Sequence, residues 1–225
     1  TPSGDYDGTI RAIAELVRGI EGRLGRTGSV GVAMPGAFSA QTGLVKNANS
    51  VVLIGKPLDR DIEALLGRPV RLENDANCMA LSEAVDGAAA GASVVFGVIL
   101  GTGVGGGLVV DGKVVTGRNR IAGEWGHNPL PWPQPDELPG PACYCGKTGC
   151  IETFLSGAGL ARAYAALTQR TLAAHDIAAA ATREADARAT LATYQDRLAR
   201  GLASVVNIVD PDVIVLGGGL SNLDA

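Results

Sequence analysis

The chain has 225 residues, 46% of them apolar and 19% charged, which is enough to bury a core in one large domain or two small ones and excludes a disordered or fibrous chain. A formal net charge of −4 gives no electrostatic reason to approach nucleic acid or an anionic membrane. Glycine, at 32 residues, is twice its usual share of roughly 7%, but it falls in clusters with no fixed period, which excludes collagen and solenoid repeats.

Taken in chain order, Asp7 to Leu24 places Ile10, Ile13, Leu16, Val17, Ile20 and Leu24 at helical spacing. Gly28 to Met34 reads as a buried strand stopped by Pro35-Gly36, and Ala37 to Pro57 as loop. Leu58 to Leu66 predicts a short helix closed by Gly67, Val70 to Leu72 a strand, and Ala76 to Val85 a helix. Ser93 to Leu100 opens a new pattern of strand, glycine-rich turn and strand (Leu108 to Val110), then an Asp111-Gly112 hairpin turn and a strand at Val114 and Val115. The stretch Ser93 to Val110 is apolar, yet its six glycines and strand-length runs argue against a membrane span. Pro129 to Pro141 reads as irregular. A helix starts near Glu152, and a long one from about Arg183 to Val209 carries the stripe Leu191, Tyr194, Leu198, Leu202, Val205 and Val209. Asp210-Pro211 stops it, Val213 to Leu216 is a buried strand, and Gly217-Gly218-Gly219 follows. The break near residues 87–92 predicts two α/β units, 1–92 and 93–225. Only the second opens with a three-strand ladder, so an interior piece of a longer protein is expected. The amino-terminal residues have neither a basic region nor an apolar signal core.

Four groups of residues carry chemistry. Gly101-Thr102-Gly103-Val104-Gly105-Gly106-Gly107 lies between two apolar strands; it can be a tight hairpin, or a cradle whose amide N–H groups and Thr102 hydroxyl face phosphate oxygens. It is neither a Rossmann fingerprint nor a Walker loop. In Glu73-Asn74-Asp75-Ala76-Asn77, at a strand–helix junction, Asp75 can cap the helix or act as general base on a substrate hydroxyl beside Asn74. His127, Cys143, Cys145 and Cys150 supply one imidazole and three thiolates, a complete tetrahedral set for a structural zinc in a reducing, cytoplasmic compartment. Glu124 and Glu152 flank that set and can bind adjacent sugar hydroxyls; the alternative is plain solvation. Cys78 stands alone and reads as a small buried apolar residue. Gly217 to Gly219 lies at the carboxyl end of a strand, where α/β proteins hold ligands.

These motifs resemble the ROK family of sugar kinases over nearly all of the chain. His127 with Cys143-x-Cys145-Gly-x-x-Gly-Cys150-x-Glu152 is the most specific part, joined by Leu100 to Gly107 and Leu72 to Asn77. Val45 to Ser50, Ser82 to Ala92 and Ala122 to Trp132 look most like the bacterial fructokinases of the manno(fructo)kinase kind, with N-acetylglucosamine kinases and glucokinases as neighbours. The resemblance implies an actin-like fold of two RNase H-like lobes (the ASKHA fold) with a sugar and ATP cleft between them. It implies Asp75 as the base for the 6-hydroxyl of fructose, and mannose as a further substrate. Asn74, Glu124, His127 and Glu152 would hold sugar hydroxyls, with His127 also a zinc ligand in an insertion at about 123–152. Gly101, Thr102, Gly103, Val104, Gly105, Gly106 and Gly107 would cradle the ATP phosphates with Mg²⁺ bridging them, and Gly217, Gly218 and Gly219 would lie near adenosine. A homodimer is the family expectation.

The family's first phosphate motif, Asp-x-Gly-Gly-Thr, and its last C-terminal helices are absent from this sequence, so truncation at both ends and poor activity of the 225-residue piece are expected. The alternative from another class is a sugar-sensing ROK transcriptional repressor, whose helix-turn-helix would lie upstream.

Overall fold

The computed structural model describes residue 2 and residues 4–223. They fall into two compact units, residues 1–78 with 116–122, and residues 79–115 with 123–225.

In the first unit, α1 (Tyr6–Leu24) starts where Asp5 Oδ1 accepts the Gly8 amide and ends on Gly25 in the left-handed conformation. Strands β1 (Val30–Met34) and β4 (Val70–Asn74) pair in parallel, joined through α2 (Leu58–Leu66). Met34, Phe38, Val45, Leu53, Leu58, Ile62 and Val70 form the core between sheet and helices. The segment expected to be loop contains a hairpin of β2 (Ala37–Phe38) and β3 (Val45–Lys46), followed by a 3₁₀ turn at Val51–Leu53. Two-residue strands are too short to show alternation. Gly36 makes this hairpin possible: at φ 79° it lies so close to the partner strand that a Cβ would stand 2.5 Å from the Lys46 carbonyl oxygen.

The second unit is built on a four-stranded sheet of order β7-β6-β5-β8. Strands β5 (Val94–Leu100), β6 (Val104–Val110) and β7 (Lys113–Val114) are antiparallel neighbours, and β8 (Val213–Gly217) runs parallel to β5. Asp111 (φ 49°) and Gly112 (φ 70°) make the two-residue turn between β6 and β7 that the sequence predicts. Alternate residues of β5 serve opposite faces. Phe96, Val98 and Leu100 face a core with Trp125, Ile151, Leu155, Tyr164, Ile177 and Tyr194, and Val95 joins Ala80, Ala89 and Val109 on the other face. The first of these cores is completed by α4 (Ile151–Leu155), α5 (Gly157–Thr168), α6 (Ala174–Ala181) and α7 (Ala185–Val209). On the opposite face, Gly97 lets α3 (Asp75–Val85) lie against the sheet, since a Cβ there would be 2.6 Å from the Ala80 methyl. That contact ties α3 from Met79 onward to the second unit. The structural division therefore comes at residue 78, earlier than the glycine-alanine break at 87–92 predicts.

The Pro-rich stretch carries a 3₁₀ turn at Pro135–Glu137 and is pinned to α7 by a buried carboxylate. Glu137 accepts hydrogen bonds from Arg197 Nε at 2.7 Å, from Arg200 at 2.8 and 2.9 Å, and from the Gln134 amide at 2.8 Å. Burial opposes its ionisation, but the Arg200, Arg197 and Gln134 hydrogen bonds prevail and hold the pKa at about 2, against 4.5 for a free glutamate. A depressed carboxylate pKa contributes stability that is complete above the unfolded value and disappears as pH falls toward the folded one. Glu137→Gln is therefore expected to cost about 3 kcal/mol at pH 7. Chemical-denaturation midpoints should show the wild-type advantage shrinking between pH 4.5 and about 2; a gap that does not change with pH would contradict the ion-pair account.

Candidate functional site

Asn74 and Asp75 belong to the first unit and stand where β4 passes directly into α3. Asn74 Oδ1 accepts the Asn77 amide at 3.1 Å, and its Nδ2 donates to the Gly36 carbonyl at 3.0 Å. The helix is thus capped by Asn74, and the capping alternative for Asp75 falls away. Asp75 Oδ1 accepts the adjacent Ala76 amide at 2.9 Å. Its residue surface is exposed, yet desolvation by the surrounding protein raises the carboxyl pKa above its ordinary 3.8, against the opposing pull of the Ala76 amide and its own. Asn77 is buried and donates to Glu73 Oε1 at 3.1 Å, while its Oδ1 has no protein partner.

The remaining predicted residues lie in the second unit. Of the glycine run, only Gly101 to Gly103 forms the turn; Val104 through Gly107 are the start of β6, paired with β5. Gly106 and Gly107 are buried. The surplus of glycine has a packing cause: a Cβ on Gly106 would lie 2.7 Å from the Gly123 carbonyl and 2.8 Å from Trp125, and one on Gly126 would lie 2.1 Å from the Val104 carbonyl. These absences let the strap Gly123-Glu124-Trp125-Gly126 lie flat on β6, where Trp125 Nε1 donates to the Gly105 carbonyl at 2.9 Å. At the carboxyl ends of β5 and β8 the two glycine turns meet. A Cβ on Gly101 would be 3.9 Å from the Gly219 amide, and Gly218 (φ 90°) sits against the Leu100 backbone.

The strap continues into the cysteine loop. Residues 126–130 run antiparallel to 149–152 through Leu130 N to Gly149 O, Ile151 N to Asn128 O and Glu152 N to Gly126 O. This pairing places His127 beside Cys150, and the positive-φ Gly146 and Gly149 turn the chain so that Cys143 and Cys145 join them. The four ligand atoms lie within 4.8 Å of one another. Cys145 Sγ is 3.6 Å from Cys150 Sγ, and Cys143 Sγ is 3.5 Å from His127 Nδ1. A zinc tetrahedron with bonds of about 2.3 Å to sulfur and about 2.0 Å to nitrogen has edges of about 3.8 and 3.5 Å, so the donor set fits this ion. All four donors come from the protein, which fits a closed structural site.

His127 Nε2 lies 3.0 Å from the Tyr144 hydroxyl, with the rings edge to face. Burial and the nearby carboxylates of Glu152 and Glu124 push the Tyr144 phenol up to about 12, so Glu124, Tyr144 and Glu152, with His127 beside the Tyr144 hydroxyl, form one neighbourhood. Nothing in the sequence marks Tyr144, whose position between two cysteines is that of a spacer. The contact of Glu152 with the glycine turn (Oε2 to the Val104 amide, 2.9 Å) was equally invisible, because its partners are separated by 48 residues.

The profile of the ROK family matches residues 1–225. An N-acetyl-D-glucosamine kinase from Escherichia coli O127:H6 is 45% identical over 230 residues, covering 100% of this chain and 76% of that protein. Among solved structures, the ROK hexokinase from Thermus thermophilus matches with TM-score 0.83 and 34% identity over 100% of this chain and 74% of its own. A ROK glucokinase from Streptomyces griseus, in complex with glucose and AMPPNP, matches with TM-score 0.81 and 30% identity over 99% and 74%. A ROK transcriptional regulator homologous to the E. coli MLC protein reaches TM-score 0.81 at 25% identity, over 96% and 57%. Such relatives are named for N-acetyl-D-glucosamine and not for fructose, the sugar of the kinases that the motifs resemble. With the glycine turns, the capped β4–α3 junction and the His/Cys cluster in place, this α/β chain, which shares the actin-like fold of those sugar kinases, belongs to the ROK family.

Proposed function

We propose that this chain is the catalytic body of an ATP-dependent kinase that phosphorylates the 6-hydroxyl of a hexose, with Asp75 as general base. The observation that carries the reading is the division of labour at the head of α3. Asn74 caps the helix, which leaves the exposed Asp75 carboxylate to accept a proton as the sugar oxygen attacks phosphorus. Backbone amides of the Gly101–Gly103 turn face the ATP phosphates, and the Gly217–Gly219 turn beside it receives the nucleoside end. Mg²⁺, when bound with ATP, supplies charge neutralisation across the phosphates. Glu124, His127 and Glu152 orient the sugar, and Asn74, whose Nδ2 has one proton beyond its bond to Gly36, can add a contact.

Fructose, with mannose, is the acceptor favoured by the motifs at residues 45–50, 82–92 and 122–132. A second reading, N-acetylglucosamine, is favoured by the 45% identity to kinases of that name. ADP release measured with fructose, mannose, glucose and N-acetylglucosamine separates the two by kcat/KM. No ADP from the full-length protein with any of them would leave the regulator reading standing and overturn the kinase.

Zinc held by His127 Nδ1, Cys143, Cys145 and Cys150 is part of the same proposal. With Nδ1 on the zinc, Nε2 would carry the proton and donate it to the Tyr144 hydroxyl 3.0 Å away, the usual arrangement of a metal-bound imidazole. Tyr144→Phe is expected to weaken zinc retention roughly 10- to 100-fold in chelator competition. Unchanged retention would remove Tyr144 from the metal's support.

A further inference from the structure

The glycine turn is held from outside by the loop that carries the metal ligands. Glu152 Oε2 accepts the Val104 amide at 2.9 Å. The carboxylate reaches that amide because Gly103 has no side chain: a Cβ there would stand 2.6 Å from Oε2. Glu152 is itself fixed by its amide, which donates to the Gly126 carbonyl at 2.8 Å, and by its place two residues after Cys150. On the other side of the turn, the Gly157 amide donates to the Gly101 carbonyl at 2.8 Å, and Gly101 N to Gly103 O closes the turn at 3.0 Å. A carboxylate next to a phosphate-binding turn would be repulsive if it competed for the same amides. Here it takes one amide of strand β6 and leaves two in the turn.

We propose that Glu152 is a positioning residue for the glycine turn: by holding the Val104 amide it presents the amides of Thr102 and Gly103 to the nucleotide phosphates, and so links the metal-bearing loop to nucleotide binding. The proposal rests on the kinase reading for its ligand, and adds to the sugar-binding role of Glu152 a second one through its other oxygen. A carboxylate–amide hydrogen bond is charge-assisted and geometrically strict, while a glutamine carbonyl in the same place still accepts. The two roles are therefore separable by substitution.

The test compares Glu152→Ala, Glu152→Gln and Gly103→Ala with wild type. It uses amide hydrogen exchange over residues 100–105, calorimetric affinity for Mg²⁺–AMPPNP, and KM for the sugar. In Glu152→Ala, exchange at Val104 and the nucleotide Kd should each rise about 10-fold, as expected for the loss of a hydrogen bond to a charged group. Glu152→Gln should restore the nucleotide Kd to within about 3-fold while its sugar KM stays raised, a split that general damage to the fold would not produce. Gly103→Ala, whose methyl would stand 2.6 Å from Oε2 and displace the carboxylate, should reproduce the faster Val104 exchange even if Glu152→Ala fails to fold. Val104 exchange that is the same in all four proteins, or a nucleotide Kd that glutamine does not rescue, overturns the proposal. Failure of the full-length wild type to bind AMPPNP would instead sink the kinase reading, and the exchange data would still decide whether Glu152 holds the turn.

Discussion

Replacing Asp75 by asparagine is expected to lower kcat roughly 100- to 10,000-fold, the range for removal of a positioned general base, with little change in KM for the sugar or for ATP. The asparagine is nearly isosteric, and the helix cap is unaffected because Asn74 supplies it. Thermal stability should stay level or rise. The Asp75 carboxyl pKa is raised by desolvation, so its charge is penalised in the folded state at neutral pH. A raised carboxylate pKa adds stability only below the unfolded value and subtracts it above. An inactive variant that melts at or above the wild-type temperature is the signature of a group kept for chemistry at some cost in stability. For wild type, the acid limb of kcat/KM should have its midpoint above 3.8, the ordinary aspartate value, and the residual activity of the asparagine variant should lack that limb. Near wild-type turnover in Asp75→Asn at saturating substrates would remove the base assignment.

Much of this arrangement was legible in the sequence, and the parts that were not share a cause. The long helix α7 was marked by its apolar stripe, of which Leu191, Tyr194 and Val205 are buried as the periodicity requires. The β6–β7 turn was announced by Asp111-Gly112 because positive φ at both positions has few residue solutions. The His/Cys cluster is readable because its four side chains lie in 24 consecutive residues of unusual composition. The strand that begins at Val104 was read as turn because glycine carries no β propensity. Those glycines answer a non-local demand, the close approach of Gly123 and Trp125 at Gly106. The capping of α3 by Asn74 instead of Asp75 depends on which of two adjacent side chains folds back, and residue type alone does not decide between them. The salt bridges of Glu137 with Arg197 and Arg200 join residues 60 and 63 positions apart, and a lone glutamate in a Pro-rich stretch gives no sign of them.

Loss of the zinc proposed for the His/Cys cluster is expected to have the largest effect on the second unit. His127, Cys143, Cys145 and Cys150 converge from two chain segments that are also joined by backbone hydrogen bonds, the isolated bridge Pro129–Cys150 and the His127–Tyr144 contact. Without a cation, burial raises the pKa of the Cys143 and Cys150 thiols, and the donors are left with the weak thiol contacts of Cys143 and Cys150 to His127 and of Cys145 to Cys150. Cys150→Ser should take metal content from about one zinc per chain to near zero. A loss of about 3 kcal/mol, as for other losses of a structural metal or cross-link, would lower the melting temperature by about 10 °C in a chain of this size. Exchange should accelerate over residues 126–130 and 142–152, while the 3₁₀ turn at Pro135–Glu137, anchored separately on α7 by Arg197 and Arg200, keeps its protection. Because Glu124, His127 and Glu152 depend on this loop, sugar affinity should fall together with zinc content when a chelator is titrated, and recover on adding zinc back. Protein purified without zinc that melts normally and binds sugar would show that the cluster is held by packing alone, and would separate the metal from the site it is proposed to support.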